Sequence, residues 1–317
     1  MHTDYEPRIT LRSPMHITSP TTEGFLDGPH GATWWRITAA AHDVARRAPL
    51  VVLHGGPGFT HDYLLRLTRI AATGRDVIHY DQIGAGRSTH LPDADPRFWT
   101  VDLFLDELDR LLQHLDIADN YVLLGQSWGG MLAAEHAIRQ PMGLRALVLA
   151  NSPASMELWC KGVRQLRSAL PASVQAVLTE HETADTTDSI EYLDACTAFY
   201  DKHVCRQVPN PDDLRATFAA LEADPTVYHA MCGPNEFHVV GSLADWSVVD
   251  QLDQILTPTL LLSGEHDEAT DTAVAPIAQH VPGATWIKFA NSSHMPHIEE
   301  EDRFLDIVSE FLNLHDS

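Results

Sequence analysis

The chain predicts an α/β fold: a mostly parallel central sheet with helices on both faces and an inserted helical lobe. Three observations carry that reading. Short apolar runs recur along the sequence with helical patterns between them, the alternation that builds doubly wound sheets. Most of the runs lack strict polar/apolar alternation, as expected of parallel strands covered on both faces. The stretch 153–245 breaks the rhythm, carrying helical patterns and no convincing strand.

Taken in order, residues 24–27 and 32–38 alternate around Asp27-Gly28-Pro29-His30-Gly31, a turn cluster that joins antiparallel strands into a hairpin. The runs LVVL (50–53), VIHY (77–80), YVLL (121–124), ALVLA (146–150), TLLL (259–262) and TWIKF (285–289) then read as buried strands. A helix over 101–115 sets Leu105, Leu108, Leu111, Leu112 and Leu115 on one side, with Asp and Glu opposite. Further helices are predicted at 131–139 and 304–314, and within the lobe at 158–170 and 189–203. Pro171, Pro209, Pro211, Pro225 and Pro234 punctuate the lobe. The expected division is core 1–153, lobe 154–245 and core 246–317. A lobe inserted directly after the sixth strand is placed to act as a cap over a site at the strand ends.

Composition narrows the function classes. The 317 residues carry a formal net charge of −23, which repels nucleic acid backbones and anionic lipid surfaces, so neither is an expected partner. The segment MHTDYEPRIT has charges where a signal peptide needs an apolar run. No stretch reaches the roughly 18–20 apolar residues of a membrane span. Cys160, Cys196, Cys205 and Cys232 form no C-x-x-C pair and are expected as free thiols in a reducing cytoplasm. No cofactor is implied.

Gly125-Gln126-Ser127-Trp128-Gly129 fits G-x-S-x-G, with an apolar strand before it and a helix after it. That context sets a serine on a sharp strand-to-helix turn, its hydroxyl projecting from an α/β-hydrolase sheet. A serine hydroxyl is a weak nucleophile until a base takes its proton, and in this fold the partners follow in the order acid, then histidine. Asp267, in Gly264-Glu265-His266-Asp267-Glu268, is the candidate acid, with Glu265 the competitor. His294, in Asn291-Ser292-Ser293-His294, is the candidate general base, with His297 the competitor. The pair His294 and His297 lacks a convincing third ligand, so no metal is expected. In His54-Gly55-Gly56-Pro57-Gly58, glycines let the backbone approach a substrate carbonyl. The amides of Gly56 and Trp128 are the candidate oxyanion hole. Asp81–Ser88 is Gly-rich but lacks P-loop spacing, and reads as a structural turn behind the site.

HGGPG (54–58), DQIGAGRS (81–88), GQSWGG (125–130), GEHDE (264–268) and SSHMPHIEE (293–301) together resemble the proline iminopeptidase family of α/β-hydrolases. The stretches HYDQIGAGRSTHLPDADPRFWTVDLFL and DPTVYHAMCGPNEFHVVGSL look closest to its bacterial L-amino acid amidases, or L-proline amide hydrolases. The resemblance implies a small amide or short peptide substrate whose first residue has a free amine, with proline favoured. It also implies two carboxylates that hold the amine, Glu236 in the lobe and Glu268 beside the candidate acid. No residue decides between ammonia and a continuing chain as leaving group; the closer likeness favours the amidase. The alternatives are an iminopeptidase acting on N-terminal proline, or an esterase or lactonase using the same three residues. A non-catalytic receptor on the same fold fits poorly with a complete triad.

Overall fold

The computed structural model describes residues 19–315. The predicted hairpin joins β1 (Thr21–Gly28) to β2 (Gly31–Thr38), so Asp27 and Gly28 belong to the first strand and only Pro29 and His30 make the turn. The six apolar runs become β3 (Leu50–Leu53), β4 (Val77–Tyr80), β5 (Tyr121–Gln126), β6 (Leu144–Ala150), β7 (Thr259–Gly264) and β8 (Thr285–Phe289). All eight form one sheet in the order β1-β2-β4-β3-β5-β6-β7-β8. The pairs β1–β2 and β2–β4 are antiparallel; every later pair is parallel.

The helices of the first half are α1 (Val101–His114) and α2 (Trp128–Ile138). After β6 come α3 (Met156–Ser168), α4 (Ala172–Ala184), α5 (Ile190–His203), α6 (Asp212–Ala223) and α7 (Thr226–Met231). The chain then closes with α8 (Asp271–His280), α9 (Pro296–Glu299) and α10 (Glu301–His315). Because alternate strand residues point to opposite faces, the sheet feeds two cores. Val51, Leu123 and Leu147 pack with Leu108 of α1, Leu132 of α2 and Val274 of α8. Val52, Leu124 and Val148 face the other way, toward Phe304 and Val308 of α10 and toward Leu64 and Leu67. The last two belong to a 3₁₀ helix, Asp62–Thr73, that the sequence reading did not anticipate.

In α1 the predicted leucines at 105, 108, 111 and 112 are buried, but Glu107 is buried with them, which corrects the expectation of a solvent-facing acid there. Its carboxylate accepts from Ile83 N–H at 2.9 Å and from the Thr33 hydroxyl, and burial raises its pKa to about 7. Helix α2 starts three residues earlier than expected, at Trp128, so no loop separates it from Ser127.

Helices α3–α7 leave the sheet after β6 and return ahead of β7. The two ends of this excursion are laced together by an antiparallel bridge between Ser155 and Ser247, with Met156 N–H donating to the Trp246 carbonyl at 2.9 Å. Among the described residues no helix is long and apolar enough to cross a membrane.

Candidate active site

Parallel strands that run side by side present their C-terminal ends, and the loops after them, along one edge of the sheet. Gly56 follows β3, Ser127 follows β5, Asp267 follows β7 and His294 follows β8. These strands lie within the contiguous run β3-β5-β6-β7-β8. Residues far apart in sequence are brought together for that reason.

Ser127 sits between β5 and α2 with φ 55° and ψ −122°, a conformation that costs of order 1–3 kcal/mol for a residue with a side chain. The turn closes only because its neighbours are small: a Cβ on Gly125 would lie 2.1 Å from the Gly129 carbonyl oxygen, and one on Gly129 would lie 2.1 Å from that of Leu53. The Ser127 N–H donates to Ala150 O at 2.9 Å, and the Ser152 hydroxyl donates to Ser127 O. Both bonds hold the strained residue in place.

His294 Nδ1 lies 2.7 Å from Asp267 Oδ1, so an ionised Asp267 makes Nδ1 the protonated nitrogen and leaves Nε2 free to accept. Asp267 is fixed in turn by Ala269 N–H at 2.8 Å and by Asn151 Nδ2 at 2.5 Å. Asn151 follows β6 with φ 56°, and its amide also reaches the Ser293 carbonyl at 3.3 Å. The competitors lie elsewhere. Glu265 pairs with Lys288 at 2.9 Å on the surface. His297 is buried against the rings of Tyr63 and Phe304, its pKa lowered to about 3 chiefly by that burial.

The loop after β3 is tied to both chemical loops by one hydrogen-bonded string. Gly55 N–H donates to the Tyr63 hydroxyl at 2.8 Å, which donates to Gln126 Oε1 at 2.5 Å, and Gln126 Nε2 donates to the His294 carbonyl at 3.1 Å. Gly56 has φ 105°, and a Cβ there would meet the backbone nitrogens of Gly58 and Phe59 at 2.7 Å. His54 accepts from Gln82 N–H through Nε2 at 2.9 Å and so donates through Nδ1 to the Gly55 carbonyl at 3.0 Å. The Asp81–Ser88 turn is built on Asp81, whose carboxylate takes the backbone N–H groups of His61 and Arg87, each at 2.8 Å.

Glu236 and Glu268 reach the same cavity as Ser127 and His294, one of about 510 Å³. Glu236 Oε1 accepts from the Tyr228 hydroxyl at 2.6 Å. Glu268 is 1% exposed; its Oε1 stands 3.7 Å from His294 Nε2, and its Oε2 has no hydrogen-bond partner. Burial raises the pKa of both carboxyls, and Glu236 pushes Glu268 further. The C-terminal end of α5 holds this corner: the His203 carbonyl accepts the N–H of Glu268 and of His294, each at 3.2 Å.

Asn151, Tyr63, Tyr228 and His203 escaped the sequence reading. Only Asn151 carried a usable signal, as a polar residue directly after an apolar strand next to the serine-bearing one.

A family model described as alpha/beta hydrolase fold matches residues 48–301. The proline iminopeptidase of Saccharolobus solfataricus is 37% identical, over 83% of this chain and 84% of that protein. The crystal structure of the Mycobacterium smegmatis proline iminopeptidase superposes with a TM-score of 0.86 at 48% identity, covering 93% of this chain and 99% of that one. The crystal structure of VinJ superposes at 0.90 with 52% identity and the same coverage. The chain is an α/β-hydrolase and belongs to the proline iminopeptidase family.

Proposed function

We propose that this enzyme releases an N-terminal L-amino acid, with proline favoured, from a short peptide or amide. The observation that carries the reading is the pair of buried carboxylates, Glu236 and Glu268, in one cavity with Ser127 and His294. Two carboxyls removed from water, one with an unpartnered oxygen, are costly unless a cation joins them. A substrate ammonium is such a cation. Backbone geometry separates an α-amine from its own carbonyl carbon by about 2.5 Å, so the amine site must adjoin the nucleophile. Glu268 standing 3.7 Å from His294 Nε2 fits an α-amine.

In this reading Ser127 Oγ attacks the carbonyl carbon as its proton passes to His294 Nε2. Asp267 stabilises the imidazolium through Nδ1–H. Charge on the carbonyl oxygen is taken by the N–H groups of Gly56 and Trp128. Collapse breaks the C–N bond; the leaving nitrogen takes the proton from Nε2, and the acyl group stays on Ser127. Water then attacks the ester, giving a proton to Nε2, which returns it to Ser127 Oγ as the amino acid departs. Residues 154–245 act as the cap that supplies Glu236 and closes the cavity.

The relatives named proline iminopeptidase favour an aminopeptidase over an amidase, and the cavity is far larger than ammonia needs. Release of proline from L-prolinamide and L-prolyl peptides, compared with their N-acetyl forms, tests the reading. Comparable rates with and without the free amine would remove the role of Glu236 and Glu268. Ser127→Ala should lower turnover by several orders of magnitude with the fold intact.

A further inference from the structure

The turn 81–88 has no part in the reaction as written above. Gln82, its second residue, is 1% exposed and is not among the residues lining the cavity. Its side chain nevertheless ends between the catalytic loops. Oε1 accepts from the Trp128 indole Nε1–H at 2.8 Å, and Nε2 donates to the His54 carbonyl at 3.1 Å. The indole can only donate and the carbonyl can only accept, so the carboxamide has one possible orientation. The backbone beneath it is fixed as well. Gln82 N–H donates to His54 Nε2 at 2.9 Å, and Glu107 accepts the next N–H, that of Ile83, also at 2.9 Å. Burial lowers the pKa of His54, which keeps Nε2 free to accept.

In the sheet β3 lies between β4 and β5. Gln82 follows β4, His54 follows β3 and Trp128 comes just after β5. One side chain therefore starts on one flank of the β3 loop, bonds that loop, and ends on the first residue of α2. Under the reading above, on which this inference rests, these two segments carry the oxyanion donors. Gly56 lies two residues after His54, and Trp128 at the start of α2 has an N–H without an intrahelical acceptor. Such donors work only when both stand about 2.7–3.1 Å from the developing anion. The segments are already close: a Cβ on Gly129 would lie 2.7 Å from the His54 carbonyl oxygen. Gly129 permits that approach, and the Gln82 carboxamide fixes it.

We infer that Gln82 is a positioning residue for the proposed hydrolysis: its carboxamide ties the β3 loop to the start of α2 and so sets the spacing of the Gly56 and Trp128 N–H groups. It acts on the tetrahedral state and leaves amine binding alone.

Gln82→Met keeps the side-chain length and removes both bonds. Its kcat for L-prolyl-p-nitroanilide should fall about ten- to hundredfold, part of the roughly 10²–10³ that a deleted donor costs, with KM within about twofold. L-Prolinal reports the tetrahedral state: Ser127 Oγ adds to the aldehyde carbon, the Oγ proton passes to His294 Nε2, and the aldehyde oxygen becomes the anion in the hole. Its Ki should rise by about the same factor as kcat falls, whereas the Ki of pyrrolidine, which has the amine and no oxygen, should stay within about twofold. Trp128→Phe deletes only the indole N–H and should raise the L-prolinal-to-pyrrolidine Ki ratio in the same direction. Gln82→Met should then cost less in the Trp128→Phe background than in the parent. Should Gln82→Met fail to fold, the two inhibitors measured on Trp128→Phe decide the matter. An unchanged Ki for L-prolinal, or equal rises for both inhibitors, overturns the inference; additive effects of the two substitutions overturn the bridge as its means. A parent enzyme that neither cleaves the anilide nor binds pyrrolidine would instead sink the proposed function, so the two failures are distinguishable.

Discussion

Glu268→Gln separates what this side chain does for catalysis from what it costs the fold. The carboxyl is 1% exposed, one oxygen lacks a hydrogen-bond partner, and the other lies 3.7 Å from His294 Nε2. A charge-assisted hydrogen bond to an ammonium contributes about 1.5–3 kcal/mol. Its loss should lower kcat/KM for L-prolyl-p-nitroanilide by roughly ten- to hundredfold. The N-acetylated anilide carries no amine, so its slow hydrolysis should be unchanged or faster in the variant. Stability should move the opposite way. Because the folded-state pKa is raised, ionisation opposes folding, and the stability present below the unfolded pKa is lost as pH rises through the folded one. The amide does not ionise, so thermal unfolding scans should show Glu268→Gln gaining on the parent as pH increases from 5 to 8. A variant that loses activity equally on both anilides, or melts lower at pH 8, would refute the argument.

Three other outcomes are expected. In the pH profile of kcat/KM, the acid limb should lie above the ordinary carboxylate range, because Glu236 and Glu268 titrate high and must be ionised to hold the amine; the alkaline limb should fall as the substrate amine deprotonates near about 8, and a limb at the usual carboxylate pH would count against the acid pair. Asn151→Ala removes the amide that braces Asp267 at 2.5 Å and should cut kcat about tenfold, equally with and without the substrate amine, with little change in KM; a rise in KM together with a lowered melting temperature would point to general disruption. Glu107→Gln should flatten the fall in stability between about pH 4.5 and 7, worth at most about 3 kcal/mol, since burial raises that carboxyl to about 7; denaturant midpoints across that range check it, and parallel curves would refute it.

Much of the architecture was legible because the parallel strands are covered on both faces, so β3 and the bodies of β5 and β7 read as apolar runs without alternation. The triad candidates were legible for a related reason: each follows a strand that the sequence announced. Glu107 was misread although its spacing held the clue, since it falls three residues after Phe104 and four before Leu111, inside the buried stripe. Tyr63 and Asn151 act through contacts to residues remote in sequence, Gln126 and Asp267, and no local period or motif marks Tyr63 or Tyr228. The 3₁₀ helix at 62–73 lies against the sheet and under α6, where Arg66 pairs with Asp213 at 2.9 Å. Its buried Leu64, Leu67, Ile70 and Ala71 recur at helical spacing, a signal the sequence held.

The string from Gly55 through Tyr63 and Gln126 to His294 runs entirely within the body that carries the sheet. Helices α5, α6 and α7 supply a large share of the remaining cavity lining. Protein engineers can therefore recarve that side for bulkier or differently charged products by varying Leu193, Phe218 and Leu221, while Tyr228, which holds Glu236, and the end of α5, which holds His294, are kept.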